Sequence, residues 1–189
     1  MNKNLKVFLF AVGFGLLGFV IILAKFTIPR PFTFPGGSPG VIDIREIVGF
    51  MGSALVGPLG AVIVGILASL GDNTIAPGLL LPSLIGHVII YVLVGWIYRF
   101  TFERMKMPVR LLGWIGIVAL GYFVFSPIMV IYYYFTDFNY DLKLAIDTLL
   151  AFWGQWFVYE FPVTTIITSL FWIALPENFR RPLWIEPKK

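Results

Sequence analysis

Residues Ile44 to Leu70 read IREIVGFMGSALVGPLGAVIVGILASL, an apolar stretch with the pair Gly57-Pro58 at its centre. Without that pair it would be one long helix. Proline has no backbone N–H to donate to the helical ladder and sits comfortably only in the first turn of a helix, so Gly57-Pro58 is either a kink within one helix or a turn between two short ones. The choice decides on which side of a membrane every later loop falls.

A membrane is implied by the rest of the chain. Of 189 residues, 59% are hydrophobic and 13% charged, and the mean hydropathy is +0.89, a composition far from that of soluble domains. Working outward from the Gly-Pro stretch, Leu5 to Phe26, Leu79 to Tyr98, Leu111 to Phe135 and the run ending at Leu175 each reach the roughly 20 residues that cross a bilayer core of about 30 Å. The first of these is read as a permanent helix, because no polar mature protein follows it as one would follow a secretory signal.

Cationic residues are enriched in cytoplasmic loops, and this separates the two readings of Gly57-Pro58. If the chain turns there, Lys3, Lys6, Arg99, Arg104, Lys106, Arg110, Arg180, Arg181, Lys188 and Lys189 gather on one side, leaving Lys25, Arg30 and Lys143 on the other. A single kinked helix puts the cluster Arg99 to Arg110 outside. The expectation is therefore an all-α, multi-pass protein of the cell membrane, a single transmembrane domain over residues 1–189 with both termini cytoplasmic. Its six helices cover approximately 5–24, 43–56, 58–71, 79–98, 111–135 and 142–175. A Pro- and Gly-rich irregular loop follows the first helix. Helices two and three, about 14 residues or 21 Å each, are too short to face lipid along a full span, and neighbours must shield them.

Several functions are disfavoured. The basic residues that give a net charge of +4 lie singly or in pairs at segment ends and form no nucleic-acid patch. With no cysteine and one histidine, neither a disulfide framework nor a zinc site is expected, and no cofactor is implied. No nucleophile elbow, phosphate-binding glycine loop or metal-ligand pair is present, so enzymatic activity is not expected.

Ionisable groups within a membrane are costly and mark candidate sites. On the last helix Trp153, Trp156, Glu160 and Thr164 share a sector, and a carboxylate between indole faces suits a cationic or aromatic hydrogen-bonding solute. An interfacial tryptophan belt with Glu160 paired to another helix is the plainer alternative. Ser83, His87 and Tyr91 recur every four residues as a polar seam, fit either for ligand binding or for bonding between helices. Asp43, Arg45 and Glu46 open the second helix, where Asp43 serves as a cap or, with its neighbours, orients a polar substrate. Asp72 and Asn73 end the third helix, and Tyr132, Tyr133 and Tyr134 read as an aromatic belt. Ala11 and Gly15 form a small-residue pair that allows close approach, within the protein or against a partner subunit.

The first helix, the Pro/Gly loop, Ile42-Asp43-Ile44-Arg45 and then Leu55-Val56-Gly57-Pro58-Leu59-Gly60-Ala61-Val62-Ile63-Val64-Gly65 together resemble the substrate-binding S-components of energy-coupling factor (ECF) transporters. A related membrane sensor domain shares much of the same stretch, including an Asp-x-Arg before it. The first resemblance implies a subunit that captures a vitamin or similar micronutrient from outside, and partners consisting of a transmembrane coupling protein and two ATPase subunits. It implies too that Thr33 to Val41 lids the site and that Ala11 and Gly15 meet the coupling protein. The second resemblance implies a membrane sensor or scaffold without transport activity.

Overall fold

The computed structural model describes residues 2–33, 39–75, 80–104, 106, 108–136, 141–176 and 180–184. Among these residues the chain is mostly helical, with one strand pair, in the order α1 (Lys3–Leu23), β1 (Thr27–Thr33), β2 (Pro39–Asp43), α2 (Arg45–Ser69), α3 (Asp72–Ile75), α4 (Leu80–Arg104), α5 (Val109–Thr136), α6 (Leu142–Gln155), a π-helical turn (Trp156–Glu160) and α7 (Phe161–Ala174). Among the described residues four helical stretches, Lys3–Leu23, Arg45–Ser69, Leu80–Arg99 and Leu142–Ala174, are by length and composition long and apolar enough to cross a membrane, Arg45–Ser69 only when its two arms are counted as one run. Large apolar side chains lie exposed along them, among them Phe8, Leu16 and Val20 of α1 and Ile166 and Leu170 of α7. A surface of this kind suits lipid rather than water.

Gly57 interrupts α2 with φ 76° and ψ −179°, a conformation open to glycine and strained for other residues. The break folds the helix back on itself. Arg45 Nη1 bonds to the Ala68 carbonyl at 3.1 Å, whereas in a straight helix their backbones would stand about 34 Å apart. Two arms of roughly 12 residues thus lie side by side, each about 18 Å long and short of a bilayer core. Neighbours cover the first of them, Arg45 to Gly57, almost wholly, and α1 and α4 both pack against α2, whereas Leu59 and Ile66 of the second arm stay exposed.

Glycines set these close approaches. A Cβ at Gly95 of α4 would stand 2.8 Å from the Gly57 carbonyl carbon and from the Ser53 oxygen, both backbone atoms that cannot yield. At Gly15 it would meet Leu67 Cβ at 2.7 Å, and Ala11 is fully buried in the core. The face expected to serve a partner subunit is therefore an internal one, occupied by the second arm of α2. The small residues at 11 and 15 allow α1 and this arm to approach closely.

The segment expected as an irregular loop holds an antiparallel strand pair, with Thr27 opposite Asp43, Ile28 opposite Ile42 and Thr33 opposite Pro39. Prolines are tolerated because in a two-stranded ribbon each strand is an edge. Lys25, at φ 53°, turns the chain into β1. The N–H groups of Lys25 and Phe26 bond to the carbonyls of Ile22 and Ile21, which closes the end of α1 in a Schellman motif.

The last long helix is continuous but for its π turn. Pro162 lies in the first turn of α7 and lacks the N–H that would bond to the carbonyl four residues back, so the ladder loosens just ahead of it.

The bundle has two distinct ends. At one, Leu183 N donates to the Leu55 carbonyl at 2.8 Å, Tyr98 Oη donates to the Arg180 carbonyl at 3.1 Å, and Arg99 lies over the Trp184 ring at 5.3 Å. The N-terminus of α1 and the Gly57-Pro58 break share this basic end. The strand pair, Arg45, Asp72 and Ser83 occupy the other.

Candidate functional site: a buried polar network under the strand pair

Asp43, at the end of β2, accepts from the backbone N–H of Arg45 at 2.9 Å, while the N-cap position of α2 itself is held by Ile44. Asp43 also binds the Arg45 guanidinium, Nη2 to Oδ2 at 2.5 Å. The opposite branch, Nη1, reaches Asp72 Oδ2 at 2.7 Å as well as the Ala68 carbonyl. A planar fork bridging two carboxylates and a carbonyl is a task that arginine performs and lysine does not. Arg45 in this way ties the strand pair, the start of α2 and its end into one unit.

Asp72 also accepts from Ser83 Oγ, which brings in α4 and its polar seam. Ser83 Oγ and Ser69 Oγ both lie against His87 Nδ1, at 2.9 and 3.0 Å. Ser69 gives its single hydroxyl proton to the Gly65 carbonyl, and Ser83 gives its own to Asp72. Both oxygens are then acceptors, so the network assigns a proton to Nδ1. His87 Nε2 stands 2.8 Å from Glu46 Oε1, and Tyr91 Oη donates to Glu46 Oε2 at 3.3 Å. Three carboxylates thus face two groups able to carry positive charge, all within the bundle, where Arg45 is 5% exposed, Glu46 7% and His87 0%.

The last-helix candidates form a second group. Trp156 and Glu160 are buried, 6% and 3% exposed, and Thr164 is fully enclosed. Tyr122 of α5 closes this group: its hydroxyl bonds to Thr164 Oγ1 at 2.8 Å, and its ring lies 6.1 Å from that of Trp156. Trp153 is only partly buried and packs edge-on against Phe123 at 5.7 Å. Phe50 stands between the two groups, with its ring 6.1 Å from Tyr91 and 6.0 Å from Tyr122, and β2 contacts the π turn directly.

The structure therefore joins Asp43, Arg45, His87 and Tyr91 in one hydrogen-bonded network, adds Glu46, Asp72 and Ser69 to it, and sets Trp156 and Glu160 beside it. Ser69 and Tyr122 were missed as participants. Ser69 follows the glycine of a Gly-x-x-x-Ser spacing, a signal for a hydroxyl bonding back to the carbonyl four residues before it. The side chains of Thr33 to Val41, Asn73 and Tyr132 to Tyr134 lie outside the described residues. So does the backbone of 34–38, and with it most of the expected lid. A cavity of about 470 Å³ opens at the basic end instead, lined by Lys3, Val7, Phe8, Pro58, Leu59 and Trp184 among others, and it includes none of the expected site residues. No group of histidine and carboxylate side chains able to hold a metal occurs among the described residues.

Compared with protein-family models, with curated proteins and with solved structures, the chain matches none.

Proposed function

We propose that this protein is a membrane subunit that captures a small organic solute, of the vitamin or similar micronutrient class, at the end of the bundle roofed by the strand pair. Uptake would be driven by ATP hydrolysis on separate subunits through a transmembrane coupling protein, as in the ECF-type importers that the sequence resembles. In this reading the chain crosses the plasma membrane six times, with the two arms of α2 as short crossings shielded by α1 and α4. The basic end, with both termini, faces the cytoplasm, in keeping with its lysines and arginines.

The observation that carries the reading is the convergence of Asp43, Arg45, Glu46, Asp72 and His87 into one buried network, next to the Trp156–Glu160 π turn. Ionisable side chains inside a membrane protein are costly and gather where a polar ligand or ion must be handled, and π turns are frequent at functional sites. The excess of carboxylates, with Trp156, Tyr122 and Phe50 close by, favours a solute carrying a cationic or hydrogen-bond-donating group. One observation favours the sensor or scaffold alternative: the network's hydrogen bonds close largely on one another, as a structural lock would.

Purification in detergent, mass spectrometry of any retained compound and a thermal-shift screen of vitamins separate the two readings, since a ligand that binds only the folded state raises its melting temperature. We expect a stabilising compound, and weaker binding of it by Glu160→Gln and by Trp156→Ala with the fold retained. A screen without a hit, or full affinity in both variants, overturns the assignment of this site.

A further inference from the structure

Two adjacent faces of α7 treat their polar side chains in opposite ways. Toward α5, Thr164 bonds to the Tyr122 hydroxyl, and Thr168 accepts from Trp114 Nε1 at 2.8 Å while donating to the Thr164 carbonyl at 2.7 Å. On the next face Thr165, Ser169 and Trp172 follow one another at i, i+4 and i+7, and so lie along a single line of the helix. They are 9%, 9% and 4% exposed, and Thr165 Oγ1, Ser169 Oγ and Trp172 Nε1 bond to no protein group. Ser53 of α2, a helix that α7 packs against, is fully buried and adds a fourth polar group, its hydroxyl, in the same condition.

A buried polar group without a partner costs about 1–3 kcal/mol, and lipid offers no hydrogen bonds to relieve it. Four such groups on two packed helices indicate a polar occupant. Its size follows from the helix. Hydroxyls at i and i+4 are about 6 Å apart along the axis, close to two hydrogen-bond lengths in series, which is the span of one bridging water. At the foot of the line Trp172 borders a cavity of about 10 Å³ shared with Tyr98, Arg110, Leu111, Trp114 and Arg180, room for about one water molecule. Both arginines are partly exposed there.

We propose that a file of water runs along α7 from the basic end, past Trp172 and Ser169, to Thr165. The file supplies the partners that the three side chains lack. It does not depend on the identity of any solute, so it stands or falls separately from the proposed function.

The chain has no cysteine, so single-cysteine variants need no prior substitution. Thr165→Cys and Ser169→Cys are close in size to the wild-type residues. Ile166→Cys and Leu170→Cys, at positions 58% and 61% exposed on the outer surface of α7, serve as lipid-facing counterparts. In lipid nanodiscs, hydroxyl radicals generated by X-ray radiolysis of water, including water held within the protein, oxidise thiols next to that water. The water file predicts several-fold faster oxidation of Thr165→Cys and Ser169→Cys than of Ile166→Cys and Leu170→Cys, although the first pair is the more buried. Equal rates, or faster oxidation of the lipid-facing pair, overturn it. If a substitution at 165 or 169 prevents folding, the stability of Thr165→Val in the otherwise unchanged chain decides: a dry seam gains stability when an unpaired hydroxyl is removed, which overturns the proposal, whereas a wet one loses it.

Discussion

The network between α2 and α4 and the inner face of α7 are both polar and both buried, yet they are built on different principles. In the network nearly every donor meets an acceptor within the protein: Arg45 joins Asp43, Asp72 and the Ala68 carbonyl, and His87 joins Ser69, Ser83 and Glu46. Along α7, Thr165, Ser169 and Trp172 meet none. A closed network holds one geometry, because breaking any bond strands a charge where no water waits. An unsatisfied seam leaves room for a mobile polar occupant. The first region fixes the folded-back arms of α2, and the second leaves one flank of the bundle available for traffic.

The largest expected effect comes from opening the network at its hub. Arg45→Met leaves Asp43 and Asp72 without their counter-charge, and loss of one member of a buried ion pair typically costs about 3–5 kcal/mol. Thermal unfolding in detergent should show a large fall in melting temperature, and adding Asp43→Asn and Asp72→Asn should restore part of it. If Arg45→Met unfolds like the wild type, the network is not the lock described. Next in size is Thr168→Val, on the satisfied face of α7. It leaves Trp114 Nε1 without an acceptor at 1% exposure, at a cost of about 1–3 kcal/mol. The same unfolding assay reads it, and no change would erase the contrast between the two faces. Smallest is Tyr91→Phe, which removes one hydroxyl at 3.3 Å from Glu46 and keeps the ring packed on Phe50. Less than about 1 kcal/mol should be lost, and a larger loss would make Tyr91 a principal member of the network.

Much of this was legible in the residues. Gly57-Pro58 was readable as a break because it joins the most permissive backbone to the most restrictive one. The Ser83-His87-Tyr91 seam was readable because helical periodicity is local. The pairing of Arg45 with Asp72 was not: 27 residues separate them, and only the fold-back brings the two ends of α2 together. The strand pair was hidden by Pro29, Pro31 and Pro39, which argue for a loop unless each strand is an edge. Ala11 and Gly15 announced close approach without saying to what, and the answer is the second arm of α2. The π turn can be traced in hindsight to Pro162, but the bond of Thr164 to Tyr122 joins two different helices and was not.

The proposed topology rests on the direction of the chain at Gly57-Pro58, and it would set the strand pair and the basic connector between α4 and α5 on opposite sides of the membrane. Lys25 and Lys106 are both exposed and mark those two sides. A membrane-impermeant maleimide applied to intact cells should label Lys25→Cys, and should label Lys106→Cys only after the cells are permeabilised. Labelling of Lys106→Cys in intact cells, with Lys25→Cys protected, would contradict both the orientation and the placement of the binding site on the outer face.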